Sequence, residues 1–259
     1  MAVIRTDEWL EKNFQEPLKI CEELKELFKD DSPKRIYQYL LQFGMYRPHR
    51  RTFDWFKELE KKQIWEQLEK LVLQYKKKWQ GPDIPVFIFP MDTGAVFSSR
   101  GFSKSGVSFR DKMFLFLSPL QDEKEIEALF VHEYHHVCRI HRQKKRVENY
   151  TLLDSMVLEG LAEQAVLETC GEKYLAKWSK QYSTKELLKH WNSSIKEVLD
   201  CKRDEKIHDD ILFGKGKYPP LFGYAIGYEI VRQYKLKQHL SREDSFRLPA
   251  DTILAEIDF

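Results

Sequence analysis

The sequence predicts a predominantly helical α+β protein with one small, mostly antiparallel sheet. Three observations carry this. Residues 1–80 contain one glycine, Gly44, and the other ten of the 11 glycines follow. Apolar residues recur at helical spacing through most of the chain. Only two short stretches, Val86–Pro90 and Met113–Leu117, have the continuous apolar character of buried strands.

The elements follow in order. Asp31-Ser32-Pro33 is a helix start with proline at the first helical position, and Gly44 is a natural stop. Ile64, Leu68, Leu71, Val72, Tyr75 and Trp79 form one apolar stripe. Lys76-Lys77-Lys78 suits the negative end of that helix dipole. Gly81-Pro82-Asp83 closes the helical N-terminal region, residues 1–80, and a second region, 81–259, is expected to form one unit with it. After the first strand, a loop rich in Gly, Ser and Thr is expected from Asp92 to Ser108. One or two strands then cover 108–110 and 112–117, and Pro119 stops them. Asp122 and Glu125 open a helix reaching about residue 142. Another starts near Asp154 or Ser155 and stops at Gly171. Ser183 and Glu186 open a third, reaching about Cys201. Residues 208–220 read as loop, and final helices cover roughly 221–236 and 249–257, the last opened by Pro249.

Composition excludes several classes. Lys plus Arg number 43 against 41 Asp plus Glu in 259 residues, so the net charge of +2 gives no electrostatic footprint for nucleic acid. A 42% hydrophobic, 14% aromatic chain has the makings of a core. No apolar run approaches the ~20 residues that span a bilayer. The N-terminus is charged almost at once and reads as no signal peptide. Cys21, Cys138, Cys170 and Cys201 form no close pair, which suits a reducing compartment; cytoplasm is the expected location.

Chemistry is concentrated in one stretch. Four of the eight histidines lie between positions 132 and 141. Within them, His132-Glu133-Tyr134-His135-His136 is an HExxH string. Residues four apart on a helix differ by about 40° in direction, so His132 and His136 project from one face, one turn apart. Both rings can meet one zinc ion, with Glu133 beside that face and in reach of a water at the ion. The bland alternative is a polar face of a surface helix. Against it, Ile126, Leu129 and Phe130 bury the same helix, and buried histidines need partners. A third ligand is also available. Glu159 lies 23 residues past His136, in Leu158-Glu159-Gly160-Leu161-Ala162-Glu163, far enough for a second helix to fold against the first. Glu159 and Glu163 share a face, so one carboxylate can ligate metal while the other hydrogen-bonds the outer nitrogen of a ligand histidine. For Glu163 an ordinary exposed helical glutamate is the competing reading.

HExxH followed by a Glu-Gly-Leu-Ala-Glu helix resembles the gluzincin metallopeptidases. More closely, the chain resembles the YjaZ-like family of predicted bacterial zinc-dependent proteases. The likeness takes in Met113–Leu117, the Leu153-Asp154 approach to Glu159 and the segment Gly223-Tyr224-Ala225-Ile226-Gly227-Tyr228, over roughly residues 85–257. It implies a zincin-like fold with the sheet beside the active-site helix. It also implies zinc on His132, His136 and Glu159, Glu133 as general base, and Glu163 supporting a ligand. Position 158 is Leu where some gluzincins have Asn, and position 163 is Glu rather than Asp.

Three protein ligands would leave a fourth position open to water, as at catalytic zinc sites. Glu133 would then take the water's proton and pass it to the leaving nitrogen. An oxyanion needs a further donor. Tyr224 is the first candidate, then Tyr228 and His208, although tyrosines on apolar helices are usually core. By the same resemblance, a sheet edge would hold a peptide as an added strand, and Met113, Phe114, Leu115, Phe116 and Leu117 are the expected edge. Its wholly apolar composition equally suits a buried core strand.

Several neighbours are set aside. Pairing His135 with His132 would deprive Glu133 of its role. Cys138 points away from the metal face, and Cys170 lies about 16 Å along its helix from Glu159. Arg139, Arg142, Lys144, Lys145 and Arg146 read as a solvated helix end. The leading expectation is a zinc metallopeptidase acting on peptide or protein. Its rivals are a zinc-binding regulatory or interaction protein without turnover, and a zinc hydrolase of a non-peptide amide.

Overall fold

The computed structural model describes residues 2–29, 32–92 and 103–258. Asp31 of the expected helix start and residues 93–102 of the expected loop lie outside them. Packing divides the chain into two units, Met1–Glu133 and Tyr134–Phe259.

The first unit begins with helices α1 (Thr6–Asn13), α2 (Pro17–Glu22), α3 (Lys25–Phe28), α4 (Pro33–Leu41), α5 (Arg50–Lys61) and α6 (Ile64–Trp79). Ser32 caps α4 by accepting from the Arg35 N–H, with Pro33 in the first helical position. Along α6 the expected stripe is buried, Leu71 only in part, and its last turn carries Lys76, Lys77 and Lys78. Strands β1 (Val86–Pro90), β2 (Lys104–Ser108) and β3 (Met113–Leu117) form a sheet in the order β1-β3-β2. The N-terminal helices are not packed apart from this sheet. Ile4 N–H donates to Val86 O at 2.9 Å, and Val86 N–H to Ala2 O at 2.9 Å. Trp65 Nε1 donates to Thr6 Oγ1, whose own hydroxyl reaches Ile88 O.

Three expectations about this sheet are corrected. It is mixed rather than mostly antiparallel: β1 pairs with β3 in parallel, and β2 pairs with β3 antiparallel. Residues 104–108, expected within a loop, are strand β2. Met113–Leu117 is the central strand, bonded on both sides, so it offers no edge to a peptide. All five of its residues are 0% exposed, as a strand covered on both faces requires. The Phe87 and Phe114 rings stack with centroids 4.8 Å apart.

Helix α7 (Lys124–Arg142) contributes its first half to this unit. Asp122 accepts the Lys124 N–H at 3.0 Å, and Glu125 and Glu127 occupy the positive first turn.

The second unit takes the rest of α7. It then holds α8 (Leu152–Cys170), α9 (Thr184–His190), α10 (Lys206–Leu212), α11 (Phe222–Lys237), α12 (Arg242–Arg247) and α13 (Ala250–Ala255). α8 starts two or three residues earlier than expected because Thr151 and Asp154 form a capping box, and it ends at Gly171 with φ +96°. The Ser183–Glu186 capping box opens α9, but the α-helix stops at His190 and one π-turn, Trp191–Ile195, follows. The expected loop at 208–220 begins inside α10, and α12 was not expected at all. The core joins Leu152, Met156, Val157 and Leu161 of α8 to Phe222, Ile226 and Ile230 of α11. These two helices meet main chain to main chain. A Cβ on Gly160 would lie 2.1 Å from Gly227 O, and one on Gly227 would lie 1.8 Å from Met156 O. Only glycine permits so close a crossing.

Arg139 is the correction in this unit. It is 3% exposed rather than solvated, and it donates to Ser245 O and Leu248 O at 2.8 Å each. Burial pulls its pKa down to about 10, which leaves it charged at neutral pH.

Candidate metal centre

Helix α7 supplies both histidines. Its apolar residues Ile126, Phe130, Val131 and Val137 are buried, which fixes its rotation. His132 and His136 then lie on one face, one turn apart. Helix α8 supplies Glu159, held in place by the adjacent glycine crossing. One ligand atom from each of His132, His136 and Glu159 lies within 4.8 Å of the other two. His136 Nε2 and Glu159 Oε2 are 3.4 Å apart, about the edge of a tetrahedron built on zinc bonds of ~2.0–2.2 Å. His136 is buried, while His132 and Glu159 are half-buried, so the cluster is reachable from solvent. Two imidazoles and one carboxylate are a fitting donor set for zinc, and three protein donors leave a position open. This is the cluster the sequence spacing pointed to.

Glu133 is 6% exposed, and its carboxylate is seated on β2. Ser108 Oγ lies 2.7 Å from Glu133 Oε2 and 2.9 Å from the Glu133 main-chain oxygen. A Cβ built on Gly106 would come within 2.6 Å of Glu133 Cγ, Cδ and Oε1. These two β2 residues escaped the sequence reading. Their signal was the alternation Lys104, Gly106, Ser108, which places all three on one face of a strand. Lys104 completes that face, with Nζ 2.6 Å from both the main-chain oxygen and Oε2 of Glu125.

His135 is fully buried, its Nε2 3.1 Å from Ser245 Oγ and its ring against Phe246. Glu163 is 2% exposed and accepts the Ala176 N–H, which ties the chain after α8 back onto that helix. His208 is buried on α10, with Nε2 2.9 Å from Ser155 Oγ and Nδ1 3.1 Å from Asp209 Oδ1. Tyr224 is half-buried on α11, its ring edge-on to Trp178 at 5.4 Å and tilted against Phe213 at 6.0 Å. One turn on, Tyr228 is buried, and burial followed by the charge of Glu163 pushes it up to about 12. Its hydroxyl therefore keeps its proton at neutral pH. Cys138 is buried, and burial raises its thiol to about 12.

A family described as "Predicted Zn-dependent protease (DUF2268)" matches residues 64–255. The uncharacterized protein YjaZ of Bacillus subtilis is 38% identical over 222 residues, covering 85% of each chain. The chain belongs to this family. The uncharacterized protein YjfC of the same organism is 29% identical over 140 residues, covering 51% of this chain and 46% of its own. No solved structure matches. The match to family members brackets both metal-cluster helices, and it begins at α6, so the N-terminal helices before Ile64 lie outside it.

Proposed function

We propose that this protein is a zinc-dependent metallopeptidase of the gluzincin type. The observation that carries the reading is the meeting of His132, His136 and Glu159 in one 4.8 Å cluster with Glu133 between the two histidines in sequence. Zinc held by this set would polarise a peptide carbonyl and bring a water's pKa near neutrality. Every other task falls to the chain. Glu133 takes the water's proton and returns it to the leaving nitrogen. Glu159 is kept at its post by the Gly160–Gly227 crossing, and Glu163 anchors the following segment through Ala176.

Tyr224 is assigned as the donor that steadies the developing oxyanion. It lies three residues before Gly227, so the same helix crossing that sets Glu159 also sets Tyr224. Of the two tyrosines flanking Trp178 it is the more exposed. His208 is a poorer candidate, because both its ring nitrogens are engaged by Ser155 and Asp209.

A peptide substrate would be held along β2. Among the described residues β2 is an outer strand of the sheet, paired only with β3, and its main chain can accept an added strand. This replaces the role first expected of Met113–Leu117. Location in the cytoplasm is supported by the absence of any disulfide among Cys21, Cys138, Cys170 and Cys201. No described helix is long and apolar enough to cross a membrane.

A zinc-binding interaction protein without turnover has no use for a buried carboxylate beside its ligands, and Glu133 favours the enzyme. A non-peptide amide would need the same residues. The test is zinc content together with hydrolysis of fluorescein-labelled casein. One zinc per chain in wild type is expected, with loss of both zinc and hydrolysis in His136→Ala and Glu159→Ala. Full zinc content in Glu159→Ala would remove Glu159 from the ligand set.

A further inference from the structure

We infer that Gly106 and Ser108 of β2 form a purpose-built seat for the Glu133 carboxylate and are positioning residues for its chemistry. The inference rests on the peptidase reading for what Glu133 does, but the seat itself is read from geometry alone. Residues 104, 106 and 108 share one face of β2, and each touches α7: Lys104 meets Glu125, while Gly106 and Ser108 meet Glu133. The strand therefore runs along the helix, with its smallest residue where the carboxylate lies.

The two residues do different things. The Ser108 hydroxyl has one proton, shared between Glu133 Oε2 at 2.7 Å and the Glu133 main-chain oxygen at 2.9 Å, so it holds the carboxylate through Oε2 and not through Oε1. Gly106 supplies room. The three atoms nearest a methyl group at 106, all at 2.6 Å, are Cγ, Cδ and Oε1 of Glu133, which belong to its side chain. That distinction decides the consequence. The end of a glutamate side chain can swing away at little cost to the fold, whereas the base can act only from its correct place. A substitution at 106 is thus expected to spare stability and destroy function. The contrast with Gly160 and Gly227 is direct, because there the obstructing atoms are main chain.

The test uses the zinc-loaded full chain with fluorescein-labelled casein, with melting temperature and zinc content measured on each variant. Gly106→Ala is expected to keep its zinc and its melting temperature while kcat falls roughly 100-fold with KM little changed. Ser108→Ala is expected to lose roughly 10-fold in kcat, and Ser108→Thr, which keeps the hydroxyl, to recover most of it. A second readout needs no turnover: a double-mutant cycle of Ser108→Ala with Glu133→Ala in the metal-free protein, expected to show a coupling of roughly 10-fold in the unfolding equilibrium. Wild-type kcat in Gly106→Ala, or no difference between Ser108→Ala and Ser108→Thr together with zero coupling, would overturn the seat. Glu133→Gln separates the two claims. If that variant hydrolyses casein normally the peptidase reading fails, and if it is dead while Gly106→Ala is fully active only the seat fails.

Discussion

Strands β2 and β3 pair residue for residue, from Lys104 with Leu117 to Ser108 with Met113, and they could hardly differ more in content. β3 reads Met-Phe-Leu-Phe-Leu and is wholly buried; β2 reads Lys-Ser-Gly-Val-Ser and is half-buried throughout. The first stabilises the sheet by apolar burial. The second contributes little to a core and instead presents a small, polar face to Glu133. The lesson is that adjacent strands can divide the labour, one carrying stability and its partner carrying placement. A composition that looks like a loop can be what a buried carboxylate requires beneath it.

That division can be broken by experiment. The largest effect expected comes from the metal: a chelator should abolish hydrolysis altogether and added zinc restore it, since β2 can only place Glu133 for a reaction the metal makes possible. Next comes the core strand. Phe114→Ala in β3 should cost about 3–5 kcal/mol in urea unfolding, a loss of stability with no selective effect on turnover in the fraction still folded. A smaller loss, about 1–3 kcal/mol, is expected for Gly227→Ala, where a methyl group would collide with the Met156 main chain, and zinc affinity should drop with it because Glu159 sits beside the crossing. The smallest effect sharpens the contrast within β2 itself. Ser105 lies on the face opposite Gly106 and Ser108, and Ser105→Ala should change stability by no more than about 0.5 kcal/mol and leave hydrolysis of casein unaltered.

Much of the candidate site was legible because its residues obey local rules. His132 and His136 share a helix, so their spacing alone sets their common face. Glu159 was legible from spacing, four residues before Glu163 on the same helix face and 23 past His136. Ser183 with Glu186 showed the start of α9 for the same local reason. What stayed hidden depends on partners distant in sequence. Arg139 looks like a solvated basic residue until Ser245 and Leu248, more than a hundred positions away, bring their carbonyl oxygens to it. His208 looks like loop because glycines and prolines follow it, yet α10 closes before them and buries the ring against Ser155. β3 was readable as a strand but not as a central one, since its parallel partner β1 and its antiparallel partner β2 are fixed by topology rather than by composition. β2 was missed because Gly and Ser signal turns, and only the position of Glu133 explains their use in a strand.

The most direct test of the whole account is the rate of casein hydrolysis by zinc-loaded Glu133→Gln compared with wild type at equal zinc content. One zinc per chain is expected in both, with a fall in rate of roughly 100- to 10,000-fold in the variant. Hydrolysis by Glu133→Gln at the wild-type rate, with its zinc in place, would contradict it.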